Sequence, residues 1–114
     1  MDDTVAKYKI LQSAKLYRDL AIAVPEEPQN RVVAASAADE LLNISGVDAS
    51  IVVAPDGNGG SFASARSIGE LNVQLIMEKV GGGGNRSAAA AQFAGTDVNT
   101  AVKRIYAAID DYLG

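Results

Sequence analysis

Apolar positions over 4–18 recur at helical spacing, with Val5, Tyr8, Leu11, Ala14 and Leu16 on one face and Lys7, Lys9, Lys15 and Arg18 elsewhere. That pattern predicts a helix. A short continuous apolar run over 20–24, LAIAV, then reads as a strand stopped by Pro25 and the turn-like PEEP. In QNRVVAASAADELLNISG, a broad stripe of Val32, Val33, Ala35, Ala38, Leu41, Leu42 and Ile44 predicts a second helix, with Gly46 as its stop. VDASIVVAP and the alternating SFASARS read as strands, joined through DGNGG into an antiparallel hairpin. GELNVQLIMEKV predicts a helix with Leu71, Leu75, Ile76 and Val80 inward. The final helix starts at a Thr96 or Asp97 cap and carries Val98, Ala101, Val102, Ile105, Ile109 and Leu113 at helical spacing. Strands and helices alternate, so the predicted class is α/β (α+β): a single small domain with a mixed central sheet, helices packed on it, and a glycine-rich loop after a helix.

Composition narrows the chemistry. At 114 residues and 48% hydrophobic, the chain can bury a core as one domain. It has neither cysteine nor histidine. Thiol chemistry is thereby excluded, along with the commonest general base and the commonest metal ligand. A net charge of −4 argues against duplex DNA as a partner. No apolar run approaches a membrane span, and no signal peptide is visible, so a cytoplasmic segment without membrane contact is expected. The abrupt opening MDDTVAKYKI suits a segment of a longer protein. Asp2 and Asp3, like Asp110 and Asp111, read as solvated faces, Asp39 and Glu40 as helix-surface charges, and Asp56 as a turn residue. No carboxylate cluster and no nucleophile–base pair emerges, so no catalytic residue is assigned to this chain.

The unusual stretch is MEKVGGGGNRSAAAAQF, residues 77–93. Each glycine costs about 0.5–1 kcal/mol relative to alanine, so four cost about 2–4 kcal/mol. A dinucleotide fingerprint needs a strand before the glycines, and here a helix precedes them; a phosphate-binding Walker loop needs Lys-Ser/Thr after them, and here Asn85 and Arg86 follow. Bare backbone N–H groups in succession can still form a concave anion nest, with Asn85, Arg86 and Ser87 as added donors. The plainer alternative is that Gly81 caps the preceding helix and the rest is a tight turn into a strand. Arg66 is a second candidate. It shares a strand face with Ser64, and a guanidinium beside a hydroxyl suits a phosphate, although an exposed strand arginine has the same pattern.

SARSIGELNVQLIMEKVGGGG, with AADELLNISGVDASIVVA before it and AAAAQF after it, resembles the C-terminal DHH-associated domain of the DHH phosphoesterase superfamily. It is most similar to the subgroup found in bacterial membrane-tethered cyclic-di-AMP phosphodiesterases. The resemblance covers roughly residues 20–113 and implies a DHH-associated substrate-binding domain over 20–114, with the entry helix read from the apolar pattern as a connector over 1–19. It further implies that Ser64, Arg66 and Ser67, with Gly81, Gly82, Gly83, Gly84, Asn85 and Arg86, contact nucleotide phosphates or bases. Manganese and the activated water would belong to a DHH lobe of the same polypeptide, with no cofactor held by this chain. The expected ligand is cyclic di-AMP or the linear adenine dinucleotide, and membrane anchoring would come from helices outside the segment. Asn85 stands where the family loop carries histidine, which removes a cationic, proton-shuttling side chain. The alternatives are a lobe acting on oligoribonucleotides or single-stranded nucleic acid, and a catalytically silent nucleotide sensor.

Overall fold

The computed structural model describes residues 3–114. Its elements are α1 (Asp3–Gln12), β1 (Lys15–Tyr17), β2 (Leu20–Ala23), α2 (Arg31–Leu41), β3 (Ala49–Pro55), β4 (Ser61–Ser67), α3 (Val73–Glu78), β5 (Gly83–Gly84), β6 (Ala88–Phe93) and α4 (Val98–Leu113). The strands form one six-stranded sheet in the order β1-β2-β3-β4-β6-β5. β2 and β3 pair in parallel across the α2 crossover, and the other neighbours are antiparallel. The mixed α/β class expected from the alternation of elements is the class observed.

Strand alternation divides the core between the two sheet faces. Leu20, Ile22, Ile51, Val53, Ala63 and Phe93 point to the face covered by α3 and α4, where Ile76, Met77, Ile105 and Ile109 meet them. Ala21, Val52, Ala54 and Phe62 point to the opposite face, under Val33, Ala37 and Leu41 of α2 and Ile10 of α1. β3 is buried on both faces, which explains its unbroken apolar run.

Several local expectations are corrected. The first helix ends at Gln12 rather than Arg18, because the Ser13 hydroxyl donates to the Ile10 carbonyl at 2.7 Å and closes the last turn. Residues beyond it form β1, whose hairpin to β2 turns through Arg18 at a φ of 55°. α1 buries Ala6 and Ile10, while Val5 and Tyr8 are exposed. α2 begins at the Asn30 cap, whose side chain accepts from the Val33 N–H at 2.8 Å, and stops at Leu41. Gly46 (φ 86°) serves the later turn into β3 rather than the helix end, and Val32 and Ile44 are exposed instead of joining the stripe. α3 is a short helix capped by Asn72 that buries Met77 and exposes Leu75. Asp2 lies outside the described residues; Asp110 and Asp111 are engaged by Tyr17, Arg18 and Lys79.

On the α2 face of the sheet, α1 packs on β2 and α2 lies over β3 and β4, short of β6. On that face Ala90 and Gln92 are exposed and Ala88 is half-buried, whereas Ala89, Ala91 and Phe93 on the other side are buried. Two strand spacings of about 4.8 Å therefore leave an open strip about 10 Å wide along the sheet.

Candidate functional site

The strip is built from alternating residues of three strands. Register places Gly83 opposite Ala90, and Ala90 opposite Ser64, so these three form one cross-strand row. The next row brings Ala88 against Arg66, and the row on the other side brings Gln92 against Phe62. One wall is the edge of α2, where Arg31, Ala35 and Asp39 recur every four residues and so share a stripe. The floor is thus made of glycine, alanine and serine, and long polar side chains stand only at its ends.

Arg66 is held in place. Its Nε donates to Asp39 Oδ1 at 3.0 Å, and its Nη1 donates to the Ala65 carbonyl at 2.9 Å. The side chain is 21% exposed against 64% for Asp39. Two contacts fix the guanidinium while leaving Nη2 without a partner among the described residues. Ser64 is buried but for its hydroxyl, which has no hydrogen-bond partner among the described residues and reaches the strip. An oriented guanidinium edge beside a free hydroxyl can receive a phosphate by charge-assisted hydrogen bonds.

Ser67 faces the other way. Its hydroxyl donates to the Asp48 carbonyl and accepts from the Gly69 N–H, both at 3.3 Å, so it shapes the turn after β4. The glycines divide by role. Gly81, with φ 86°, follows the end of α3, and the Gly82 N–H donates to the Met77 carbonyl at 2.8 Å. A Cβ on Gly82 would stand 2.1 Å from the Ala90 carbonyl oxygen, and one on Gly84 2.4 Å from that of Ala88. Gly83 alone of the four has no positive φ and no atom within 4 Å of an added Cβ, and its register with Ala90 turns that open space toward the strip. Strand approach therefore accounts for glycine at 82 and 84, a left-handed turn accounts for it at 81, and the fold makes no demand at 83.

Asn85 and Arg86 sit in the turn between β5 and β6. The Asn85 side-chain oxygen accepts from the Ser87 and Ala88 N–H groups at 2.9 Å each, which leaves its amide N–H groups outward. Arg86 leans away from the strip, donating to the Glu70 carbonyl at 3.4 Å. The structure thus gathers Ser64, Arg66 and Gly83 on one surface, sets Asn85 and Arg86 at its rim, and places Ser67 on the far side. Sequence reading missed Arg31, Asp39, Ala88, Ala90 and Gln92. The signal for the first pair was the four-residue repeat on α2, and for the others the alternation hidden in AAAAQF. Asp56, read as a turn residue, is one: it accepts from the Asn58 and Gly60 N–H groups at 2.7 and 3.1 Å. The Asn58 N–H, then that of Gly60, Gln92 and Arg31 hold its carboxyl below the usual range against some desolvation.

Comparison with known proteins places the chain in a family. The family model of the DHHA1 domain matches residues 18–113. The chain is 42% identical over 118 aligned positions to the cyclic-di-AMP phosphodiesterase GdpP of Bacillus subtilis, covering 98% of this chain and 18% of that protein. It is 44% identical over 109 positions to the cyclic-di-AMP phosphodiesterase PdeA of Listeria monocytogenes, covering 91% of this chain and 16% of that protein. The chain thus spans less than a fifth of these curated relatives. Among solved structures, an exopolyphosphatase-related protein from Bacteroides fragilis shares the fold, with a TM-score of 0.80 and 24% identity over 96% of this chain and 34% of that one.

Proposed function

Because the chain belongs to the DHHA1 domain family, we propose that it is the substrate-recognition lobe of a DHH-family phosphodiesterase, and that cyclic di-AMP or its linear dinucleotide lies on the strip. The observation that carries this reading is the meeting of the oriented Arg66 edge, the unpartnered Ser64 hydroxyl and the bare Gly83 over a floor of alanines. Arg66 and Ser64 take a phosphate, and Gly83 lets the ligand lie against the backbone of β5. Asn85 offers amide N–H groups at the rim and cannot carry a proton at neutral pH. Proton transfer, manganese and the attacking water therefore fall to a DHH lobe of the same polypeptide, which would close over the strip. No cluster of three or more metal-ligating side chains occurs among the described residues.

An NMR titration of the 114-residue chain with cyclic di-AMP and with the linear dinucleotide tests this reading. Binding is expected to be weak, because one wall of the site is supplied by the other lobe. Shifts should concentrate at Ser64, Arg66, residues 83–85 and Ala90, and Arg66→Ala should weaken binding about tenfold or more, the ~1.5–3 kcal/mol of a hydrogen bond to a charged group. No shift at millimolar ligand, or shifts unaffected by Arg66→Ala, would overturn it.

A further inference from the structure

At the end of the strip away from Arg66, the floor drops into a depression of about 340 Å³ lined by Gln29, Asn30, Arg31, Asp56, Asn58 and Phe62. The Arg31 guanidinium lies over the Phe62 ring, its central carbon 4.8 Å from the centroid. One plane of this cation is spent on Phe62, and the side chain is otherwise exposed. Among the described residues no carboxylate makes an ion pair with Arg31. It donates instead to Gln92 Oε1, and Gln92 Nε2 donates to Asp56 Oδ2 at 3.2 Å and to the Ser61 carbonyl at 3.3 Å. The planar head is therefore held in one orientation. Asp56 Oδ1 is occupied by two backbone N–H groups, Oδ2 keeps a free lone pair, and the Asn58 amide has no side-chain partner among the described residues.

An anion suits this place poorly, since the Asp56 carboxylate would oppose it. A flat heteroaromatic with donors on its edge suits it well: it can stack on a guanidinium plane and donate to a carboxylate. Distance agrees. Arg31 and Asp39 are eight residues apart on α2, about 12 Å at ~1.5 Å per residue. Phe62 and Arg66 are four apart on β4, about 13 Å at ~3.3 Å per residue. Either route gives the reach of one extended nucleotide from its phosphate to the far edge of its base.

We propose that this depression is a purine-base subsite: the base stacks on the outward plane of Arg31 with its edge toward Asp56 and Asn58, while the phosphate of the same nucleotide lies at Arg66. The subsite rests on the phosphate reading of Arg66 given above. AMP and ribose 5-phosphate, titrated separately into the 114-residue chain by NMR, separate the two. AMP should shift signals of Arg31, Asn58 and Gln92 as well as those around Arg66, and ribose 5-phosphate only the latter. Arg31→Lys, which keeps the charge and loses the plane, should weaken AMP about five- to tenfold and leave ribose 5-phosphate within about twofold. Asn58→Ala should likewise weaken AMP alone. Equal losses for both ligands in Arg31→Lys, or AMP shifts confined to the Arg66 end, would overturn the subsite and leave the phosphate reading standing. Absence of shifts near Arg66 with either ligand would remove that reading, and the subsite with it.

Discussion

The four glycines look alike in the sequence and differ in the structure. At Gly82 an added methyl group meets a carbonyl oxygen and the Ala91 Cβ of the neighbouring strand, neither of which is the end of a flexible side chain. Gly82→Ala should therefore cost about 1–3 kcal/mol in urea unfolding, the range for overpacking. Gly83→Ala meets nothing. It should leave stability unchanged or raise it by about 0.4–1 kcal/mol through the unfolded chain, and still weaken dinucleotide binding about tenfold. A Gly83→Ala chain that binds normally would mean that this glycine serves neither fold nor ligand. Sequence alone allowed a helix cap at Gly81 and left the other three open between a tight turn and an anion nest. It could not show that β6 lies against two of the others, because that contact depends on strand register. The side chains that meet this close approach are Ala89 and Ala91, whereas Ala88 and Ala90 face the strip, where a larger residue would fill it.

Elements buried on one clean stripe were legible, and those shaped by tertiary contacts were not. α4 and the β3–β4 hairpin follow from periodicity and turn chemistry, since their own residues decide their form. β1 was read as the tail of a helix because KLYR carries helical spacing. It is a strand because Tyr17 reaches across to α4, with its hydroxyl donating to Asp110 at 2.5 Å and its ring edge-on to Tyr106 at 4.5 Å. The hydrogen bond to Asp110, with smaller effects of burial and the same carboxylate, raises the Tyr17 pKa. A raised folded-state pKa contributes stability that is complete below the unfolded value of about 10 and is lost as pH rises through the folded one. Alkaline unfolding should thus be less steep in Tyr17→Phe than in the parent chain, as followed by far-UV circular dichroism from pH 9 upward. An unchanged profile would show that the clamp contributes nothing. The Asn30 cap acts at the same level. Asn30→Ala should destabilise the chain by about 1 kcal/mol in urea unfolding, and because it loosens the turn that carries Arg31, AMP affinity should fall with it.

For the whole molecule, the decisive feature is asymmetry between the two sheet faces. α3 and α4 cover theirs out to β6, whereas α2 stops one strand short and leaves polar, ordered side chains around an apolar floor. Family resemblance singled out Arg66 and the glycines, the proposed phosphate end of this surface. Its other end escaped notice because Arg31, Gln92 and Asp56 are far apart in sequence and are joined only by the register of β4 with β6. On the proposed reading this surface positions a dinucleotide, while no cluster of metal-ligating side chains occurs among the described residues; that reading implies a division of labour, and the division can be measured. The 114-residue chain alone should show no manganese-dependent hydrolysis of cyclic di-AMP, and manganese should leave its nucleotide affinity within about twofold, since the phosphate contacts proposed are to guanidinium, hydroxyl and backbone groups. Joined to a DHH lobe, the same chain should support hydrolysis that Arg66→Ala lowers about a hundredfold, the scale of losing one charge-stabilising donor at a reacting centre. An Arg66→Ala fusion that raises KM and keeps kcat would place Arg66 in substrate binding alone. A fall in kcat would bring its guanidinium to the phosphoryl group in the transition state.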